Sequence, residues 1–138
     1  MNGTSGITTN AGDAQIKVFI NANEPPVRQR FSLLHEFKHV LDFDFVDTLH
    51  ESLGSGDLNR RARQIELICN EFAACALMPA NLVKRVWLRT QNIELAAGMF
   101  NVSPEAMSTR LSRLGLIGVP APAPKMYFRR QLVSLCVA

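Results

Sequence analysis

No run of apolar residues in this 138-residue chain approaches the ~18 needed to cross a bilayer, and the opening MNGTSGITTNAGDA has neither the basic nor the apolar stretch of a secretion signal. Membrane insertion and export are therefore not expected, and the expected compartment is the cytoplasm. Cysteine is scarce. Cys69, Cys75 and Cys136 are odd in number and lack CxxC spacing, which argues against a disulfide framework and against a thiolate zinc site. They read as reduced, small hydrophobes. Disorder is not expected either, since 47% hydrophobic and 20% charged residues are ordinary for a globular chain.

Charge of one sign is lacking in each half. Residues 1–57 hold four Lys/Arg against eight Asp/Glu, and residues 58–138 hold eleven against four, giving the overall +3. A basic C-terminal half can meet nucleic acid or an acidic partner, but a solvated helix face explains it more simply.

The length suits one domain, expected over residues 1–118 with a flexible or hairpin start at 1–14. A proline-rich linker, VPAPAPK, and a tail follow over 119–138. Alternation at Ile16, Val18 and Ile20 predicts a strand, Gln15–Asn21, paired in a hairpin with Gly6–Asn10 across a turn at Asn10-Ala11-Gly12-Asp13. Pro25-Pro26 end that strand and lead into a helix starting near Val27 or Arg28. From Asp42 to Asp57 the chain reads as a loop. Asp57 caps a second long helix, Leu58 to Met78, which Pro79 ends. Helices over Asn81–Arg89, Ile93–Phe100 and Pro104 to about Leu114 follow, the last capped by Ser103 and stopped by Gly115. Met126–Val137 reads as a terminal strand or arm.

The first helix carries His35-Glu36-Phe37-Lys38-His39. Residues four apart lie one turn apart on one helix face, so both imidazoles can close on a single metal ion. Glu36, between them, suits the role of a base that takes a proton from water. Against this stands chance: five residues can match by accident, and a histidine pair is often plain surface. Phe31, Leu33, Leu34, Phe37, Val40 and Leu41 surround the pair, so the helix is expected to be buried on most sides, with Lys38 and Asp42 on the wetter one.

A catalytic zinc site needs a third protein ligand. A histidine six residues after His39 is one known solution, but that position is Phe45. Glu51, Glu66 and Glu71 are the downstream carboxylates. On the second helix Ala62, Glu66, Cys69, Asn70, Ala73 and Leu77 share a side, while Glu71 lies about 140° round from Glu66. Glu66 is thus the carboxylate aimed into an apolar stripe, where a cation would offset its burial. Asn70, one turn on, can hydrogen-bond a ligand. An ion pair of Glu66 with Arg63 or Arg30 is the structural alternative.

In Arg30–His39, in Glu66 with Cys69–Pro79, and in Leu95–Ser103 with Ala106-Met107 and Arg110-Leu111, the chain resembles the ImmA/IrrE family of metallopeptidases. That resemblance implies an α+β, mainly helical zincin-like domain: a small N-terminal antiparallel sheet, the HExxH helix, a second ligand helix, and C-terminal helices shaped like a helix-turn-helix. It implies one zinc ion held by His35, His39 and Glu66, with Glu36 catalytic; manganese or iron also suits two imidazoles and a carboxylate. It further implies a cytoplasmic regulatory endopeptidase whose partner is a helix-turn-helix repressor, in a phage, mobile-element or stress setting. Lys38 stands where the family usually has glycine and Asp42 where a further histidine is common, both at the mouth of the site. Members also usually carry N-terminal helices ahead of the point where this chain begins.

Two other readings compete. One keeps the metal without catalysis, as a sensor module binding a repressor or a toxin-antitoxin partner. The other is a DNA-binding domain using Ile93–Leu114 with Arg110 and Arg113. An extended substrate could add to the free edge of the strand Gln15–Asn21. Tyr127 and His50 are the candidate oxyanion donors.

Overall fold

A computed structural model describes residues 6–10, 16–45, 48 and 58–118. The fold is α+β, mostly helical, with a two-stranded antiparallel sheet at its N-terminal end. Strand β1, Gly6–Asn10, pairs with β2, Ile16–Ile20, in a register that sets Gly6 opposite Ile20 and Asn10 opposite Ile16. The hairpin is the one expected from the Ile16/Val18/Ile20 alternation. Both strands pack on helix α1, Pro26–Asp42.

Helix α1 begins with proline at its first turn, where a missing N–H costs nothing. Its entry is pinned by Gln29, whose Nε2 donates to the Glu24 carbonyl at 2.7 Å and the Ala22 carbonyl at 3.3 Å. The helix runs on to Asp42, and a short 3-10 turn, Phe43–Phe45, follows where a loop was expected. Most of the expected loop, with Glu51, His50 and the Asp57 cap, lies outside the described residues, as do the Asn10–Asp13 turn beyond its first residue and the whole tail with Tyr127.

Helix α2, Leu58–Leu77, is the long second helix. Compact units cover Met1–Ala73 and Ala74–Ala138, the boundary falling inside α2. The first holds the sheet, α1 and most of α2, with Cys69 and Ala73 fully buried. In the second, α3 (Ala80–Thr90), α4 (Ile93–Phe100) and α5 (Pro104–Arg113) surround a core of Met78, Val83, Trp87, Ala97, Met107 and Leu111. Helix α4 is capped by Asn92, whose Oδ1 accepts from the Leu95 N–H at 3.0 Å, and α5 by Ser103, whose hydroxyl accepts from the Ala106 N–H at 3.2 Å. The Glu105 carboxyl in that first turn is held below its ordinary range by its own backbone N–H and by the Ser103 hydroxyl. Gly115, at φ +69°, stops α5 in a left-handed conformation that a side chain resists. Arg110 is 4% exposed and its Nε donates to the Met78 carbonyl at 3.0 Å. It therefore braces the core instead of facing a phosphate backbone, which removes one of the two arginines from the DNA-binding reading.

Helix α1 departs from its expected faces. Its buried residues are polar, Ser32, Glu36 and Asp42, while Leu33, Phe37 and Leu41 are about half exposed. Lys38 and Asp42, expected on the wet side, are turned inward as an ion pair, with the Lys38 ammonium 5.7 Å from the ring centre of Phe72 on α2. An i,i+4 pair on one helix satisfies both charges internally, and an aromatic face lowers the cost of burying the ammonium, so this side can be covered despite its polarity. Among the described residues no single helix is long and apolar enough to cross a membrane.

Candidate metal centre

Two helices of the first unit build the site. Consecutive turns of α1 stack His35 and His39 with ring centres 4.9 Å apart and planes at 63°, so that their Nε2 atoms come within 3.2 Å of each other. Helix α2 brings Glu66 opposite: Oε2 lies 3.2 Å from His35 Nε2 and Oε1 lies 3.2 Å from His39 Nε2. Neither Arg63 nor Arg30 takes the place of the imidazoles beside this carboxylate, and the ion-pair alternative gives way to a His-His-Glu cluster. It is the one group among the described residues whose ligand atoms lie close enough together to hold a metal ion.

The spacing itself carries information. A tetrahedral ion with bonds of about 2.0 Å to nitrogen and oxygen sets its ligand atoms about 3.3 Å apart. The 3.2 Å between the two Nε2 atoms fits that edge, as does the distance from each Nε2 to its own Glu66 oxygen, while ligand atoms taken one per residue all lie within 4.8 Å of one another. The donor set, two neutral imidazoles and a carboxylate, suits zinc and related divalent ions.

Asn70, one turn after Glu66 on α2, places its Oδ1 3.0 Å from His35 Nδ1. An amide oxygen only accepts, so Nδ1 is the donor in this hydrogen bond, the arrangement in which a neutral ring turns its Nε2 lone pair toward the cluster. This is the role expected of Asn70 from its spacing. The imidazoles are sheltered, with side-chain exposures of 13% for His35 and 26% for His39, but Glu66 is 55% exposed. The buried glutamate expected at position 66 is thus not found. The carboxylate sits at the exposed rim of the cluster. Glu71 is not part of the cluster.

Of the two glutamates it is Glu36 that is buried, 8% exposed. It follows His35 on α1 and lies against the first residue of β1: a methyl group placed on Gly6 would stand 2.8 Å from its Cγ. Sequence reasoning named Glu36 but had no means of finding Gly6, thirty residues away in the chain. Behind the cluster lies Cys69, fully buried. Its thiol is pushed up to about 12, first by burial and then by the carboxylates of Glu66 and Asp42, with Lys38 opposing. Three carboxylates, Glu36, Asp42 and Glu66, thus act on this thiol against one ammonium, and a cation among them would be electrostatically welcome.

Residues 8–112 match the family described as the IrrE N-terminal-like domain, a peptidase family. The chain is 44% identical over 69 residues to the radiation response metalloprotease IrrE of Deinococcus deserti, a match covering 48% of this chain and 24% of that protein. It is 35% identical over 69 residues to the radiation response metalloprotease IrrE of Deinococcus radiodurans, covering 48% of this chain and 20% of that one. This chain therefore spans well under half the length of the curated relatives it matches.

Proposed function

Because the chain belongs to the metallopeptidase family of the IrrE N-terminal-like domain, we propose that it is a zinc-dependent endopeptidase in which His35, His39 and Glu66 hold the ion and Glu36 is the catalytic base. The observation that carries this reading is the 3.2 Å spacing of the two Nε2 atoms from each other and from the Glu66 oxygens. Zinc, when bound, supplies Lewis-acid chemistry, lowering the pKa of water toward about 7 and polarising a carbonyl.

The chain's own residues do the rest. Asn70 accepts from His35 Nδ1, which favours the tautomer whose Nε2 is a ligand atom. Glu36 accepts the proton of the attacking water on its carboxylate and returns it to the departing amine. Shelter beside β1 keeps that carboxylate from wandering into solvent. The sheet offers an extended polypeptide a place to add as a further strand; since Gly6 of β1 is the residue at Glu36, β1 is the strand nearer the chemistry, where the sequence had suggested the edge of Gln15–Asn21.

For the substrate we infer a protein, specifically a helix-turn-helix repressor cut to release the genes it silences. What supports this is the resemblance of the motifs to the ImmA/IrrE peptidases, together with the word metalloprotease in the names of both Deinococcus relatives. The test is incubation of zinc-loaded protein with purified helix-turn-helix repressors, with fragments identified by mass spectrometry. Cleavage by the wild type that falls roughly 10²–10⁴-fold in Glu36→Gln, with zinc content unchanged, supports the reading. Repressor inactivation that persists in Glu36→Gln with no fragment from either protein would replace catalysis by binding.

A further inference from the structure

We propose that Gly6, at the start of β1, is a positioning residue for Glu36: the bare strand backbone is the wall that fixes the Glu36 side chain, and any side chain at position 6 displaces it. The catalytic consequence rests on the reading of Glu36 as the base; the contact itself does not.

A Cβ at Gly6 would lie 2.8 Å from Glu36 Cγ, 3.0 Å from Oε1 and 3.2 Å from Cδ. The 2.8 Å approach to Cγ is too short for a carbon-to-carbon contact, so something must shift, and the other two are tight. What would have to shift is no free-swinging surface chain. Glu36 is 8% exposed, and its Cγ lies between a helix backbone and the carboxylate, so movement at Cγ carries Oε1 and Oε2 with it.

Backbone conformation does not explain the glycine. The positive-φ glycines are Gly115 and Gly118, and Gly6 is not among them. It sits in a strand, paired with Ile20, where a glycine forfeits side-chain packing and is otherwise unfavourable. Gly98 shows the contrast: in the middle of α4, a Cβ there would meet nothing within 4 Å. Of these two glycines in regular structure, only Gly6 is held to its identity by a neighbour, and that neighbour is the residue proposed to move the proton. A carboxylate displaced by about 1 Å from its working place can cost on the order of 10²-fold in rate.

The experiment compares Gly6→Ala, Glu36→Ala and the double variant of the full chain with wild type by urea unfolding, zinc titration and turnover of fluorescein-labelled casein. Gly98→Ala serves as the control. Gly6→Ala should lower the unfolding midpoint when residue 36 is glutamate and leave it unchanged, or raise it, in the Glu36→Ala background, where Cγ is gone. Zinc should bind Gly6→Ala one to one as in wild type. Its kcat on casein should fall roughly 10²-fold with KM unchanged, while Gly98→Ala keeps wild-type turnover. Equal midpoint shifts in both backgrounds overturn the proposal, and so does a Gly6→Ala protein that cleaves casein at the wild-type rate. A wild type that leaves casein intact counts against the endopeptidase reading alone, because the unfolding midpoints decide the Gly6 contact without turnover.

Discussion

The Asn70 amide oxygen, 3.0 Å from His35 Nδ1, favours the tautomer protonated there, which is the one that leaves Nε2 for a metal. Removing such a partner commonly weakens metal binding about 10–100-fold. Asn70→Ala should therefore weaken zinc binding by that factor in a competition titration with a chromophoric chelator, while folding is preserved. Cys69 gives a second residue-level expectation. Its thiol, ordinarily at 9.0, is pushed up to about 12 in the folded protein, so the folded state favours the protonated form. The associated stability is complete below pH 9 and is lost as pH rises from 9 toward 12. Cys69 should resist iodoacetamide at pH 8 until urea unfolds the chain, and alkaline titration followed by circular dichroism should show destabilisation beginning above pH 9. A bound cation offsets the Glu66 contribution but leaves the burial, which is the larger cause.

At the scale of elements, α1 is the helix whose two faces are exchanged relative to a simple amphipathic reading. The buried Lys38–Asp42 pair implies that Asp42→Ala, which strands an ammonium at the Phe72 ring, destabilises by roughly 3 kcal/mol, whereas Lys38→Met combined with Asp42→Leu recovers most of that loss. Urea midpoints of the two variants measure it. Element boundaries were legible because they rest on local chemistry: the Ile16/Val18/Ile20 alternation, Pro25-Pro26, Ser103-Pro104, and Gly115 at positive φ each act within a few residues. The clustering of His35, His39 and Glu66 was legible in part: helical spacing separates Glu66 from Glu71, but the buried apolar stripe that singled out Glu66 is not where its carboxylate lies. Burial was less so. Whether Glu66 or Glu36 is the sheltered carboxylate depends on which neighbour covers which face. Leu33, Phe37 and Leu41 look like core in sequence because apolar spacing cannot say on which side of α1 the sheet and α2 lie. The Gly6–Glu36 approach spans thirty residues and leaves no periodic trace.

For the whole molecule, every residue of the proposed centre falls within Met1–Ala73, while the family match runs from residue 8 to residue 112 and so extends through α3 and α4 and into α5. Those helices contribute a packed core: Leu111, fully buried, should cost about 2–5 kcal/mol on replacement by alanine, read by urea denaturation, without altering the ligand atoms directly. Metal binding to the folded state alone raises stability by mass action, about 2.7 kcal/mol when free zinc is a hundredfold above its dissociation constant. The increment should vanish in any variant lacking a ligand. Zinc titration by calorimetry, on wild type beside His35→Ala, His39→Ala and Glu66→Gln, tests the central claim most directly. One ion per wild-type chain, with binding lost on removal of either histidine and strongly weakened in Glu66→Gln, is the predicted result; a wild type that takes up no zinc, or three variants that bind it as the wild type does, would contradict it.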